Sequence, residues 1–130
     1  MTLIVDASVL LAIYLEEPAS AAARAALAGE ALMAPQLVLA ELANGVWRAA
    51  RITPDMASQE MARVPAFFTA LVDLKPLAAI ALGLALRRDH PAHDCFYVAL
   101  AMREAAPLIT ADRRLAERSA GDADIRLIAG

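Results

Sequence analysis

Strand-like and helix-like segments alternate along the chain, and this alternation constrains the fold more than any other feature of the sequence. The predicted strands are short apolar or β-branched runs bounded by proline and turn residues, at 3–5, 32–34, 70–74, 107–110 and 125–128. Helical patterns lie between and after them, at 8–14, 18–27, 36–50, 54–64, 77–88, 93–105 and 112–120. With right-handed crossovers, this order predicts an α/β fold in which helices cover both faces of a parallel sheet, a three-layer α/β/α sandwich.

The length and hydropathy of the chain are those of one globular domain. A chain of 130 residues is expected to form a single domain, 1–130. Its mean hydropathy is +0.52, which raises the question of a membrane span. The longest apolar stretch, 76–86, is far shorter than the ~20 residues that cross a bilayer, so we expect no contact with a membrane.

The start of the chain and its cysteine content indicate the compartment. No basic segment precedes the first apolar run, and Asp6 interrupts that run, so we expect no secretory signal. The single cysteine, Cys95, excludes an internal disulfide and agrees with a reducing environment. We therefore expect a cytoplasmic protein.

The first predicted helix has a natural cap in Ser8, because a serine hydroxyl accepts from the free backbone N–H groups of a helix start. Asp6, at the end of the preceding strand, then has no necessary structural task. We interpret Asp6 as a functional residue.

Four carboxylates lie where strands give way to helices, or in the helices that follow: Asp6, Glu41, Asp94 and Asp112. In open parallel sheets, ligands bind at the carboxyl ends of the strands. Asp6 and Asp112 meet if the first and fourth strands are neighbours, and Glu41 shares a helix face with Asn44. The sequence therefore predicts an acidic pocket.

Such a pocket calls for a metal ion, because close like charges disfavour joint ionisation of the carboxylates. Hard oxygen ligands without cysteine favour Mg²⁺ or Mn²⁺ over zinc. We interpret His90 and His93 as loop and cap residues, since Pro91 lies between them. A divalent ion held by acids is suited to in-line displacement at phosphorus, so the site indicates phosphate chemistry.

Four short motifs, taken in order, resemble one known family. They are Val5-Asp6-Ala7-Ser8, Glu41-Leu42-Ala43-Asn44, His93-Asp94 with Tyr97-Val98-Ala99-Leu100-Ala101, and Leu108-Ile109-Thr110-Ala111-Asp112-Arg113-Arg114-Leu115. The chain resembles the PIN-domain ribonucleases and, within them, the VapC-type toxins of bacterial toxin–antitoxin modules. The resemblance covers nearly the whole chain.

The resemblance implies a PIN-like sheet of five parallel strands in the order 3-2-1-4-5 and an endoribonuclease that depends on Mg²⁺, with Mn²⁺ as a substitute. The catalytic and metal-binding residues would be Asp6, Glu41, Asp94 and Asp112. Supporting hydrogen bonds would come from Ser8, Asn44 and Thr110. The partners implied are RNA, a VapB-type antitoxin that masks the site, and a second copy of the chain in a homodimer.

Arginines supply almost all of the positive charge in a chain whose net charge is −3. Arg113 and Arg114 follow Asp112, where some members of the wider family have a further acid, so the number of metal ions, one or two, stays open. A guanidinium suits bidentate contacts with phosphate. Arg113 and Arg114 are therefore candidates for contacts with RNA phosphates.

Two other functions are compatible with parts of the sequence. A haloacid-dehalogenase or receiver-type phosphoryl-transfer protein also places an aspartate after the first strand. The first type needs a second aspartate where Ser8 stands, and the second needs an acidic pair and a particular lysine, whereas Lys75 is the single lysine here. The other alternative is a non-catalytic PIN-fold module that binds partners through its apolar helices.

We expect several other aromatic and acidic residues to have structural positions and no part in the site. The aromatic residues interpreted as core or interface positions are Trp47, Phe67, Phe68, Phe96 and Tyr97. The acids interpreted as turn or surface positions are Asp73, Asp89, Asp122 and Asp124.

Overall fold

The computed structural model describes residues 1–49 and 53–128. Strands and helices alternate within these residues. The strands are β1 (Thr2–Val5), β2 (Ala31–Pro35), β3 (Ala70–Val72), β4 (Leu108–Thr110) and β5 (Ile125–Leu127). The helices are α1 (Ala7–Tyr14), α2 (Ser20–Leu27), α3 (Leu37–Ala49), α4 (Pro54–Arg63), α5 (Ala78–Arg88), α6 (Ala92–Glu104) and α7 (Arg113–Arg118).

The five strands form one parallel sheet in the order β3-β2-β1-β4-β5, which confirms the predicted fold class and strand order. The order reverses between β1 and β4, and ligands bind at such a switch point in open α/β sheets. Val5 pairs with Ile109 across these two strands. Asp6, which follows β1, and Thr110, the last residue of β4, therefore lie side by side at the carboxyl edge.

The hydrophobic core surrounds β1, β4 and α6. Ile4, Val5 and Leu108 on the central strands are fully buried, as are Val98 and Leu100 on α6. Each such side chain contributes roughly 1.5–3 kcal/mol when it leaves water. Because α1 and α6 both pack against the central strands, the carboxyl edge of the sheet is framed by tightly packed helices.

Asp6, and not Ser8, caps α1, so that part of the sequence interpretation is wrong. The Asp6 carboxylate accepts a hydrogen bond from the backbone N–H of Val9, and the helix begins at Ala7. Ser8 lies inside the first turn, where its hydroxyl donates to Asp6. Aspartate is as good a cap as serine, and only the observed start of the helix distinguishes them. Asp6 therefore has a structural task as well as a candidate functional one.

Several predicted boundaries shift by a few residues. The strand predicted at 70–74 ends at Val72, since a 3-10 turn at Lys75–Leu77 precedes α5. Pro18 lies in a turn before α2, and Pro65 lies within a 3-10 turn, Val64–Phe67. Ala50, the predicted end of the third helix, lies outside the described residues.

Two aromatic residues are more exposed than a core position allows. Trp47 is 76% exposed and Phe67 is 55% exposed, so the core interpretation is wrong for both, while the interface interpretation stays a prediction. Phe68 and Tyr97 are buried. None of the helices in the described ranges combines the length and apolarity that crossing a membrane requires.

Gly45 permits a close approach between α1 and α3. A Cβ added at this position would lie 2.5 Å from both methyl carbons of Leu11. Glu41 is four residues before Gly45 and therefore shares its face of α3. The close approach brings that face, and with it Glu41, toward the end of β1.

Candidate active site

Asp6 is the most deeply buried acid of the site, with 5% of its surface exposed. Three groups donate hydrogen bonds to its carboxylate: Ser8 Oγ at 2.5 Å, Thr110 Oγ1 at 2.5 Å and the Val9 N–H at 3.3 Å. A carboxylate has about four acceptor positions, so one remains for another ligand.

Burial raises the pKa of Asp6 from its ordinary value of 3.8 to about 6. The hydrogen bonds from Ser8, Thr110 and Val9 oppose this shift, and the negative charge of Asp94 adds to it. The ionised form is therefore disfavoured inside the fold. A bound cation would compensate this cost.

Thr110 connects two of the predicted site acids. Its side chain is fully buried, donates to Asp6 and accepts a hydrogen bond from the Asp112 N–H at 3.0 Å. Asp112 itself caps α7, since one carboxylate oxygen accepts from the N–H groups of Arg114 at 3.0 Å and Leu115 at 3.2 Å. Its second oxygen is not used by the cap.

Glu41 extends from α3 toward α6. Tyr97 Oη donates to Glu41 Oε1 at 2.5 Å, and His93 Nδ1 lies 2.9 Å from Oε2. The pKa of Tyr97 is raised well above its ordinary value, first by burial and then by the charge and the hydrogen bond of Glu41. Tyr97 therefore remains a protonated donor.

Asp94 lies between two histidines. His90 Nε2 is 2.8 Å from Asp94 Oδ2, and His93 Nδ1 is 3.2 Å from Oδ1. His90 is in a loop as predicted, but neither histidine is a cap: Pro91 is the residue before α6, and His93 is inside the helix. His90 is buried, and its Nδ1 has no hydrogen-bond partner among the described residues. Both histidines therefore belong to the acidic cluster.

The predicted site residues meet at one cavity of about 280 Å³. Its lining includes all four predicted acids and both Ser8 and Asn44: Asp6, Ser8, Glu41, Asn44, Asp94 and Asp112. Thr110 lies behind Asp6 and supports it through the hydrogen bond described above. The structure thus brings together the seven residues that the sequence selected for the pocket and its support.

The cavity also contains residues that the sequence interpretation missed. Arg48, His93 and Tyr97 line it. Arg48 lies four residues after Asn44 and seven after Glu41, so helical spacing could have found it. Of the predicted phosphate contacts, Arg113 and Arg114 are exposed on the first turn of α7 and are not part of this lining among the described residues.

The donor set fits a divalent cation. Two groups of side chains each bring three ligand atoms within 4.8 Å of one another: Glu41, His93 and Asp94, and His90, Asp94 and Asp112. Carboxylate oxygens predominate, which suits Mg²⁺ or Mn²⁺. The free acceptor position of Asp6 and its raised pKa point in the same direction. The four acids are therefore candidate ligands for such an ion.

Comparisons with known proteins agree with this architecture. A model of the PIN domain family matches residues 3–121. Ribonuclease VapC3 from Pyrobaculum aerophilum is 36% identical over 124 residues, which cover 91% of this chain and 95% of the relative. Ribonuclease VapC12 from Mycobacterium tuberculosis is 34% identical over 131 residues, which cover 98% of this chain and 99% of the relative.

A solved structure shows the same fold. The crystal structure of VapBC2 from Rickettsia felis, bound to a DNA fragment from its promoter, matches with a TM-score of 0.71 and 15% sequence identity. The match covers 99% of this chain and 100% of that one.

Proposed function

The chain belongs to the PIN domain family and, within it, to the VapC ribonucleases, and on this premise we propose that it is the toxin of a toxin–antitoxin module. Its activity is endonucleolytic hydrolysis of RNA phosphodiester bonds, with Mg²⁺ as cofactor and Mn²⁺ as a substitute. Cellular RNA is the substrate, so the protein acts in the cytoplasm.

One observation carries the proposal: four carboxylates from four separate segments line a single cavity at the switch point of the sheet. One of them, Asp6, is buried and has a raised pKa of about 6. Helix capping accounts for Asp6 and Asp112 singly, but gathering four acids in one cavity costs stability, because like charges repel one another and burial disfavours their ionised forms. The arrangement therefore serves a cationic ligand.

The residues have distinct tasks in this site. Ser8 and Thr110 each donate a hydrogen bond to the Asp6 carboxylate and fix it, so that it stays in position without a cation. The acids Asp6, Glu41, Asp94 and Asp112 would hold the ion. When bound, a divalent cation supplies Lewis-acid stabilisation of the charge that develops on phosphate oxygens during hydrolysis. Asn44, on the same face of α3 as Glu41, offers an amide for orienting a phosphate or a water.

Arginines near the cavity provide contacts for the RNA backbone. Arg48 lines the cavity directly, whereas Arg113 and Arg114 lie beside it, after Asp112. Because the net charge of the chain is −3, attraction of RNA depends on these local groups and on the bound cation.

The test is cleavage of purified RNA by the protein with Mg²⁺ or Mn²⁺, with EDTA, and by the Asp6→Asn variant. Asp73→Asn is the matched control, since Asp73 is an exposed acid outside the cavity. We expect discrete fragments from wild-type protein and from Asp73→Asn, and none with EDTA or with Asp6→Asn. A wild-type protein that leaves RNA intact under all these conditions would instead favour the non-catalytic binding module.

An apolar groove offers a place for the antitoxin. It has a volume of about 520 Å³ and lies between α1, α3 and α4, where Leu42, Val46, Met56 and Met61 contribute to its walls. Helix α3 thus presents Glu41 to the acidic cavity and Leu42 to the groove. We expect Met56→Glu to weaken co-purification with a VapB-type antitoxin encoded beside this chain and to leave RNA cleavage intact.

Exposed apolar side chains on α5 and α6 support the proposal of a homodimer. Ile80, Leu82 and Leu86 on α5 and Met102 on α6 are between 42% and 77% exposed. Leu82 and Leu86 lie one turn apart and share a face of α5, and such a paired apolar exposure is typical of a surface covered by a partner. Sedimentation equilibrium of wild-type protein and Leu86→Glu tests this: we expect a dimer and a monomer, respectively.

A further inference from the structure

Two side chains of α6 bind the carboxylate of Glu41, although Glu41 belongs to α3. Tyr97 Oη donates to Oε1 at 2.5 Å, and His93 Nδ1 lies 2.9 Å from Oε2. His93 and Tyr97 are four residues apart and share one face of α6. The carboxylate is therefore held at both oxygens by a neighbouring helix.

These two contacts differ in how firmly they are anchored. The Tyr97 residue is 1% exposed, while the side chain of His93 is 61% exposed. A buried phenol cannot exchange its protein partner for water, and leaving it unpaired is costly, whereas an exposed imidazole exchanges partners easily. The Tyr97 contact therefore decides where the Glu41 carboxylate lies.

Backbone packing does not fix the Glu41 side chain by itself. Helix α3 packs mainly against α1, whereas α6 packs mainly against α5 and the central strands. A glutamate side chain loses rotamer freedom when it is ordered, so a specific contact must hold it in one position. A hydrogen bond from a neutral donor to a carboxylate is charge-assisted and strong enough for this task.

We propose that Tyr97 is a positioning residue, whose hydroxyl holds Glu41 at the acidic cavity with Oε2 turned toward Asp94. His93 Nδ1 marks the space between the two acids, at 2.9 Å from Glu41 Oε2 and 3.2 Å from Asp94 Oδ1. The inference rests on the proposed function, because it gives Tyr97 a task in cation binding. Tyr97 does not contact RNA or the reacting phosphate in this role.

Tyr97→Phe separates the task of the hydroxyl from that of the ring. Phenylalanine fills the same buried volume and removes only the hydroxyl. We expect the affinity for Mn²⁺, measured by calorimetry without RNA, to fall by about tenfold, as is usual when a group that orients a metal ligand is removed. In the Glu41→Gln background, the same change should alter the affinity by less than about twofold, because the charged carboxylate that Tyr97 positions is already lost.

Val98→Ala controls for general loosening of α6. Val98 is fully buried beside Tyr97 and does not line the cavity. We expect this variant to melt at a lower temperature than wild type and to bind Mn²⁺ with unchanged affinity. A purely structural role for the Tyr97 hydroxyl would make both variants behave alike.

The positioning role would be overturned if Tyr97→Phe bound Mn²⁺ with unchanged affinity. It would also be overturned if Val98→Ala lost as much affinity for Mn²⁺ as Tyr97→Phe. The third contrary result is a loss of Mn²⁺ affinity from Tyr97→Phe that is as large in the Glu41→Gln background as in wild type. Wild-type protein that binds Mn²⁺ but leaves RNA intact would contradict the proposed nuclease, and the affinity comparison would still decide the role of Tyr97. Wild-type protein that binds no Mn²⁺ would overturn both.

Discussion

Thr110 Oγ1 lies 2.5 Å from Asp6 Oδ2, although the two residues are 104 positions apart in the chain. The contact is possible because β1 and β4 are neighbours, so that their carboxyl ends meet. The same hydroxyl accepts a hydrogen bond from the Asp112 N–H. Thr110 therefore ties the buried acid of the site to the cap of α7.

Replacing Thr110 with valine keeps the volume and removes this hydroxyl. Asp6 loses a donor, and the Asp112 N–H loses its acceptor, so we expect Thr110→Val to lower the free energy of unfolding by about 2 kcal/mol. Urea denaturation measures the change. Thr69→Val is the control, since its hydroxyl donates to the neutral Leu32 carbonyl and its loss should cost about 1 kcal/mol. Equal losses in the two variants would argue against a special role for Thr110.

The raised pKa of Asp6 gives the stability of the protein a defined dependence on pH. The folded pKa of about 6 exceeds the ordinary value of 3.8, so the folded protein binds this proton more tightly than the unfolded chain. The favourable contribution is fully present below pH 3.8 and is lost as pH rises through 6. Above that range the ionised Asp6 costs roughly 3 kcal/mol relative to its protonated form.

Asp6→Asn should therefore be more stable than wild type near pH 7.5 in EDTA, by up to about 3 kcal/mol, and the difference should vanish near pH 4. Asparagine retains the capping role, so α1 keeps its start. Urea denaturation across this pH range measures the effect. A variant that is less stable than wild type at every pH would show that burial of the Asp6 charge is not the dominant cost.

Replacement by alanine should change the stability of the protein in opposite directions at two helical glycines, Gly45 and Gly83. A Cβ at Gly45 meets Leu11 at 2.5 Å, while at Gly83 the nearest atom is a guanidinium nitrogen of Arg87 at 3.4 Å. We expect Gly83→Ala to raise the free energy of unfolding by up to about 1 kcal/mol, because alanine has a higher helix propensity than glycine. We expect Gly45→Ala to lower the free energy of unfolding by roughly 1–2 kcal/mol, because the Leu11 side chain must move. Thermal denaturation compares them, and a gain at Gly45 would show that Leu11 adapts freely.

Arg48 should contribute to RNA binding more than Arg113 or Arg114 does. We expect Arg48→Ala to raise KM and to leave kcat nearly unchanged. The slope of log KM against the logarithm of salt concentration should fall by about 0.7, which is the value for one contact with a phosphate of single-stranded nucleic acid. Cleavage assays at several salt concentrations measure this. A larger effect of Arg113→Ala on KM would indicate that the RNA binds nearer to α7.

The local patterns predicted the framework of this protein well. Short β-branched runs and helical spacing located every strand and helix of the described residues, because parallel strands and their covering helices differ clearly in period and length. The strand order 3-2-1-4-5 came from the family resemblance and is confirmed. The 3-10 turns Val64–Phe67 and Lys75–Leu77 were missed, since a single turn leaves no periodic pattern.

The site was predicted in part. The four acids carry recognisable motifs, but the groups that bind them depend on contacts between distant segments. Tyr97 and Glu41 are 56 positions apart, and His93 and Glu41 are 52 apart. Such pairs leave no local signal, so Tyr97 was interpreted as a core or interface residue and His93 as a loop or cap residue. The cap of α1 is a similar case, because Ser8 is engaged by a distant segment: its hydroxyl accepts from the N–H of Ala111, which follows β4, and lies 3.5 Å from Thr110 Oγ1.

The placement of His93, Asp94 and Tyr97 on α6 also determines which changes of length the chain tolerates. A helix turns by about 100° for each residue, so one residue inserted between Asp94 and Tyr97 would carry Tyr97 away from Glu41 while Asp94 stayed. The loop before Pro91 has no helical phase to keep, although Asp89 contacts Arg118 and His90 contacts Asp94. Insertions and deletions among relatives with the same site should therefore collect before Pro91 and be absent from the first two turns of α6.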